Sequence, residues 1–188
     1  MGTIPTYTTM LLEELTAALN GISEEQAEAF MELLLGARRI YTAGAGRSGF
    51  MTRAFAMRLM HLGLPAYVVG EAVTPALGAG DLLVIGSGSG ETGSLAAMAE
   101  KAKQLGASVA LVTVEPSSRI GKLADAVVRI PGATKALADH EAKSISVQPM
   151  GSLFEQALLL FLDSLVLRLM EKLDLTAESM KLRHANLE

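Results

Sequence analysis

The 188-residue chain is 50% hydrophobic and 19% charged with a net charge of −4, which fits one compact α/β domain over 1–188 and leaves little room for a second. Zero cysteines exclude a disulfide framework and any thiolate nucleophile or thiolate metal site, while the acidic balance, the lack of Trp and 4% aromatics argue against nucleic acid as a partner. No apolar run reaches a membrane span without a charge and no basic-then-apolar leader opens the chain, so a cytoplasmic protein with no membrane partner is expected.

In chain order, a helix is expected over about Tyr7–Leu19, on an apolar stripe of Met10, Leu11, Leu15, Ala18 and Leu19, ended by Asn20-Gly21. Ser23 followed by Glu24, Glu25 and Gln26 reads as a capping box, and Ala27, Phe30, Met31, Leu34 and Leu35 carry a second stripe to Gly36. Coming before any strand, these two helices would cover a sheet edge or pack on another subunit. Ile40–Ala43 is the first strand, leading through Gly44-Ala45-Gly46-Arg47-Ser48-Gly49 into a helix that ends near Leu62. Ala66–Val69 is the second strand, with a Pro-containing loop after it, and Leu82–Ile85 the third, running into Gly86-Ser87-Gly88-Ser89-Gly90-Glu91-Thr92-Gly93. A helix over Leu95–Leu105 comes next, then a strand at Val109–Thr113, a short helix from Pro116 to about Ala124 and a fifth strand at Ala126–Ile130.

Residues 133–149 read as a long polar loop, and Ser152–Leu173 as the longest helix, apolar around so much of its circumference that a partner subunit is expected on it. Strands alternating with helices predict a three-layer α/β/α sandwich on a five-stranded parallel sheet, flavodoxin-like, with extra N-terminal helices and a long C-terminal one. Ligands of such sheets bind beyond the carboxyl ends of the strands, where both glycine loops lie.

The second loop has the makings of a phosphate cradle. Its glycines let the backbone close around a ligand, the helix behind it offers unpaired N–H groups and a positive dipole end, and Ser87, Ser89 and Thr92 add hydroxyl donors. The first loop matches G-x-G-x-x-G, with Glu71 at the distance of a ribose-binding acid, which on its own would point to a nicotinamide cofactor. Two anion cradles on one crevice, in a chain too short for a separate catalytic domain, fit a single phosphorylated sugar better. No cofactor is therefore expected, nor a metal, because His61, His140 and His184 show no metal-ligand spacing.

Gly46-Arg47-Ser48-Gly49 and Ser87-Gly88-Ser89-Gly90-Glu91-Thr92 resemble the signature loops of the SIS (sugar isomerase) family. Ala56-Met57-Arg58-Leu59-Met60-His61-Leu62-Gly63, Val69-Gly70-Glu71, Pro149 to Glu155 and the ending Arg183 to Glu188 bring the resemblance closer to the 6-phospho-3-hexuloisomerases, over the whole chain. The resemblance implies interconversion of a 3-hexulose 6-phosphate and fructose 6-phosphate in the ribulose monophosphate route, by a homotetramer with active sites shared between subunits. Other isomerases of this fold carry Lys where Arg47 stands, and arabinose 5-phosphate isomerases often add a regulatory domain for which there is no room here. Two alternatives stay open: another phosphosugar isomerase, and a phosphosugar-sensing module without catalysis.

Moving a carbonyl between adjacent carbons needs a base that removes a proton and returns it next door. Glu155 is the candidate, one turn into an apolar helix where desolvation tunes a carboxyl for such work; the competing reading is a first-turn Glu that only complements the helix dipole. His184, in a polar tail, reads as a solvated histidine by itself, and the resemblance makes it the candidate for moving a proton between sugar oxygens, more easily in a neighbouring subunit's site. His61 ends an apolar helix, where a packed core histidine is the commoner outcome, and is kept as a second catalytic candidate. Arg47 would hold the enediolate oxygen or the phosphate. Gly46, Ser48, Ser87, Gly88, Ser89 and Thr92 would bind phosphate, and Glu71 and Gln148 sugar hydroxyls, while Glu91 would stay away from the anion.

Overall fold

A computed structural model describes residues 2–132 and 146–187 of the chain. In order these form α1 (Ile4–Asn20), α2 (Glu24–Gly36), β1 (Ile40–Gly44), α3 (Gly46–His61), β2 (Ala66–Val68) and β3 (Leu82–Gly86). They continue as α4 (Gly93–Gln104), β4 (Ser108–Thr113), β5 (Ala126–Arg129), α5 (Ser152–Lys172) and α6 (Ala177–Lys181). The five strands make one parallel sheet in the order β2-β1-β3-β4-β5, with Ile40 level with Ala66 and Leu82, Leu82 with Ser108, and Ala110 with Ala126. This is the doubly wound α/β sandwich expected, and its strand order reverses between β1 and β3.

Side-chain alternation splits the core into two layers. Ile40, Leu82, Val84, Ala110, Val112 and Val128 face α1, α2, α3 and α5; Tyr41, Ala43, Leu83, Ile85, Val109 and Leu111 face α4 and Ile120. Because α3 leaves β1 toward one face and α4 leaves β3 toward the other, a crevice opens between their first turns at the carboxyl end of the sheet. Of the two N-terminal helices, α2 covers a sheet edge, packing on β5 with its Gln26 side chain accepting the Arg129 N–H at 3.0 Å, while α1 packs on α5.

Three local expectations are corrected. First, α1 begins at Ile4, because Thr3 caps it and Pro5 fits its first turn, where no N–H partner is needed. Second, α4 begins at Gly93, directly after the glycine loop. Third, residues 116–123 form turns instead of a helix. Their donors are drawn elsewhere: Ser117 N–H goes to the Glu115 carboxylate, Gly121 N–H to Ser118 Oγ and Ile120 N–H to the Gly90 carbonyl. Much of the apolar surface of α5 is covered within the chain: it lies among α1, α2 and α3, with Phe161 meeting Phe30 edge to face at 6.1 Å, while Leu160 and Leu167 remain exposed. The short α6, closed by a reciprocal Thr176–Ser179 cap, had no predicted counterpart. Of the expected loop 133–149, residues 133–145 lie outside the described residues, His140 among them.

Candidate active site

Three helix N-termini converge on the crevice, and none of them carries a side-chain cap. Helices α1, α2 and α6 use Thr3, Ser23 and Thr176 to satisfy their first N–H groups, whereas α3, α4 and α5 start at Ala45, Thr92 and Gly151 with those donors uncommitted to side chains. Uncapped donors at positive dipole ends favour an anion in front of them. The cavity there, of about 190 Å³, is lined by Ala45, Gly46 and Ser48 from the first loop and by Gly86, Ser87, Gly88, Ser89 and Thr92 from the second. Leu95, Gly151, Phe154 and Glu155 complete it.

The second loop is shaped by its own hydroxyls. Gly90 N–H donates to Ser87 Oγ at 3.2 Å and Glu91 N–H to Ser89 Oγ at 3.2 Å, while Val114 N–H and Thr113 Oγ1 both donate to the Gly88 carbonyl. Each serine thus accepts from the backbone and keeps its hydroxyl hydrogen to donate. Glu91 turns outward, accepting the Arg119 N–H at 2.7 Å.

Glu155 closes the opposite wall. Glu155 is 4% exposed, and its carboxylate pairs with Arg47, whose Nε lies 3.2 Å from Oε2 and whose Nη1 donates to Ser152 Oγ at 3.1 Å. A carboxylate shut from water, fixed by a cation and facing hydroxyls and bare helix ends can hold a polar anionic ligand and exchange a proton with it. Arg47 therefore points at Glu155 rather than standing free at the loop's mouth. Of the residues singled out in the sequence, Gly46, Ser48, Ser87, Gly88, Ser89, Thr92 and Glu155 share the cavity, with Arg47 bound to its edge.

Four others lie elsewhere. Glu71 is exposed on the loop after β2 in an ion pair with Arg53. Gln148 is buried, and its Nε2 donates to Glu14 at 2.9 Å. His61 ends α3, about 22 Å along that helix from Gly46, and its ring stacks on His184 at 5.2 Å between centroids. Burial first, then the neighbouring His184 and Arg58, pull the His61 imidazole below its ordinary pKa. Arg183 donates to the His61 carbonyl at 3.2 Å, so the C-terminal tail is fastened to the same spot. Gly151 and Phe154 are lining residues that sequence reading missed; the glycine one turn before Glu155 was the available signal. Among the described residues no cluster of His, Asp and Glu could hold a metal ion, and no helix is long and apolar enough to cross a membrane.

Comparison with known proteins places this geometry. The SIS domain model matches residues 33–160, from the end of α2 to the middle of α5. A 3-hexulose-6-phosphate isomerase of Bacillus subtilis is 52% identical over 182 residues, covering 97% of each chain, and one of Mycobacterium gastri is 42% identical, covering 95% of this chain and 88% of its own. Among solved structures, a Methanococcus jannaschii protein inferred to be a 3-hexulose-6-phosphate isomerase superposes with a TM-score of 0.82 at 30% identity, over 97% of this chain and 99% of that one.

Proposed function

The chain belongs to the SIS domain family, and from that premise we propose that it is an isomerase interconverting D-arabino-3-hexulose 6-phosphate and D-fructose 6-phosphate. The observation that carries the reading is Glu155: a buried carboxylate in the same cavity as two hydroxyl-bearing loops and three uncapped helix ends. The phosphate sits on Ser87, Ser89, Thr92 and Ser48 with the N–H groups behind them. This leaves the sugar carbons lying toward Glu155.

From open-chain fructose 6-phosphate, Glu155 takes the proton on C3. The electron pair becomes the C2=C3 bond of an enediolate, and O2 takes up the negative charge. The carboxyl then returns its proton to C2 as O3 becomes the carbonyl, so nothing is oxidised or reduced overall. Arg47 steers the carboxylate and offsets charge developing on the enediolate oxygens. The hydrogen that starts on O3 must end on O2, and His184, backed by His61, is assigned this transfer in the site of a neighbouring subunit. Exposed Met57 and Met60 on the last turns of α3, beside the histidine stack, and Phe50 nearer its start support contact between copies, as a homotetramer requires. The whole chain acts as one such domain, in the cytoplasm, in the ribulose monophosphate route of formaldehyde assimilation or detoxification.

Incubation with fructose 6-phosphate in deuterium oxide tests this. The parent chain should form the 3-hexulose and place deuterium on carbon, and Glu155→Gln should slow both by about 10²- to 10⁴-fold while fructose 6-phosphate still binds within a few-fold. Exchange at the parental rate in Glu155→Gln removes the carboxylate as the base.

A further inference from the structure

Outside the cavity, one carboxylate gathers its donors from a segment that runs into it. Glu14, half-buried on α1, accepts the Ser146 hydroxyl at 2.7 Å and Gln148 Nε2 at 2.9 Å on Oε2, and the Val147 N–H at 2.7 Å on Oε1. Ser146 Oγ also accepts the Gln148 N–H at 3.0 Å, so three consecutive residues are tied to one side chain and partly to each other. The contact spans more than 130 residues of sequence. Burial pushes the Glu14 carboxyl up, but the Ser146, Val147 and Gln148 donors outweigh it and hold it below its ordinary value, so it is ionised at neutral pH.

Directly beyond this clamp, the chain becomes the wall of the cavity. Met150 sits at φ 58, a left-handed conformation that costs a non-glycine residue roughly 1 kcal/mol or more and persists only when both sides of it are held. The next residue, Gly151, caps α5 and lines the cavity, and its carbonyl accepts the Glu155 N–H. Ser152 takes the Arg47 hydrogen bond. Packing of α5 holds Met150 from one side, and Glu14 holds the other.

We propose that Glu14 is a positioning residue for the isomerisation: by clamping residues 146–148 it sets the entry of the chain into α5, and so the placement of Glu155 and Arg47 against the sugar. This rests on the function proposed above. The phosphate loop, residues 86–92, belongs to other elements and does not depend on the clamp. Loss of Glu14 should therefore fall on turnover and spare substrate capture, because small displacements of a proton-transfer group cost far more in rate than in binding.

Glu14→Gln keeps the side-chain volume but turns an amide NH₂ toward groups that are themselves donors; Glu14→Asp keeps the charge. In Glu14→Gln, kcat should fall by about 10- to 100-fold with KM within about threefold, the thermal midpoint should drop by no more than about 5 °C, and amide hydrogen exchange at residues 147–152 should quicken. Glu14→Asp should recover most of the lost kcat. Unchanged kcat in Glu14→Gln overturns the proposal, as does a joint fall of kcat, substrate affinity and thermal midpoint, which a merely structural tie would give. If the parent chain itself does not isomerise fructose 6-phosphate, the proposed function fails on its own account. Amide exchange then decides for Glu14, with unchanged protection of 147–152 in Glu14→Gln overturning the clamp and faster exchange retaining it.

Discussion

A histidine closed off from water and set face to face with another accepts a proton reluctantly, and His61 is such a residue, at 3% exposure against the ring of His184. Its pKa lies below the ordinary 6.5, from burial first and then from His184 and Arg58. In the unfolded chain the same imidazole binds its proton near 6.5, so in the window below that value the unfolded state holds more protons than the folded one. This contribution to stability is complete above about pH 6.5 and is lost as pH falls through the lowered folded value. Glu14 and Asp81 are also shifted downward, but from ordinary values of 4.5 and 3.8, and so act at lower pH. Unfolding free energy measured by denaturant at pH 7.5 and 5.5 should therefore fall less in His61→Gln than in the parent, and equal slopes would remove His61 as the source. Residues of the candidate site are legible in the sequence where the signal is local. Ser87, Ser89 and Thr92 stand among glycines at the end of an apolar strand, a pattern held within ten positions. Spacing and polarity point to Glu71 and Gln148, yet their partners are Arg53, 18 residues away, and Glu14, 134 residues away, which no local pattern encodes.

At the scale of elements, the strands and major helices are readable from hydrophobic period and glycine punctuation, because a parallel sheet buried on both faces needs short continuous apolar runs. The segment over 116–123 escaped because its helical composition is overridden by hydrogen bonds to the glycine loop beside it. That contact has its own consequence. Gly90 has φ +62, and a Cβ there would lie 1.9 Å from Ser118 Oγ and 2.5 Å from Ser118 Cβ. Gly46 has φ +56, but beyond its chain neighbours and the backbone of its own helix turn no atom of the described residues lies within 4 Å of its missing Cβ. Gly90→Ala should cost about 2–4 kcal/mol, left-handed strain plus overpacking, while Gly46→Ala should cost only about 1 kcal/mol of strain. Equal costs by denaturant unfolding would show that the turn and the glycine loop yield independently.

For the whole molecule, one chain carries its proposed base and its proposed oxygen-proton shuttle at opposite ends of α3, so a complete site needs a second copy in register. Mixing Glu155→Gln chains with His184→Ala chains, each inactive alone, should restore measurable turnover once subunits exchange, because one mixed site then has both groups intact. No recovery with subunit exchange verified would place the histidine's action within its own chain or outside the reaction. The topology also imposes an order in time. Both glycine loops and all five strands of the sheet precede residue 130, whereas Glu155 rides on a helix drawn from the last quarter of the sequence. During synthesis the sheet and both glycine loops therefore leave the ribosome before the helix that closes the cavity wall with Gly151, Phe154 and Glu155. The apolar layer that α5 will cover is meanwhile bare, so this face is where a chaperone would find its grip.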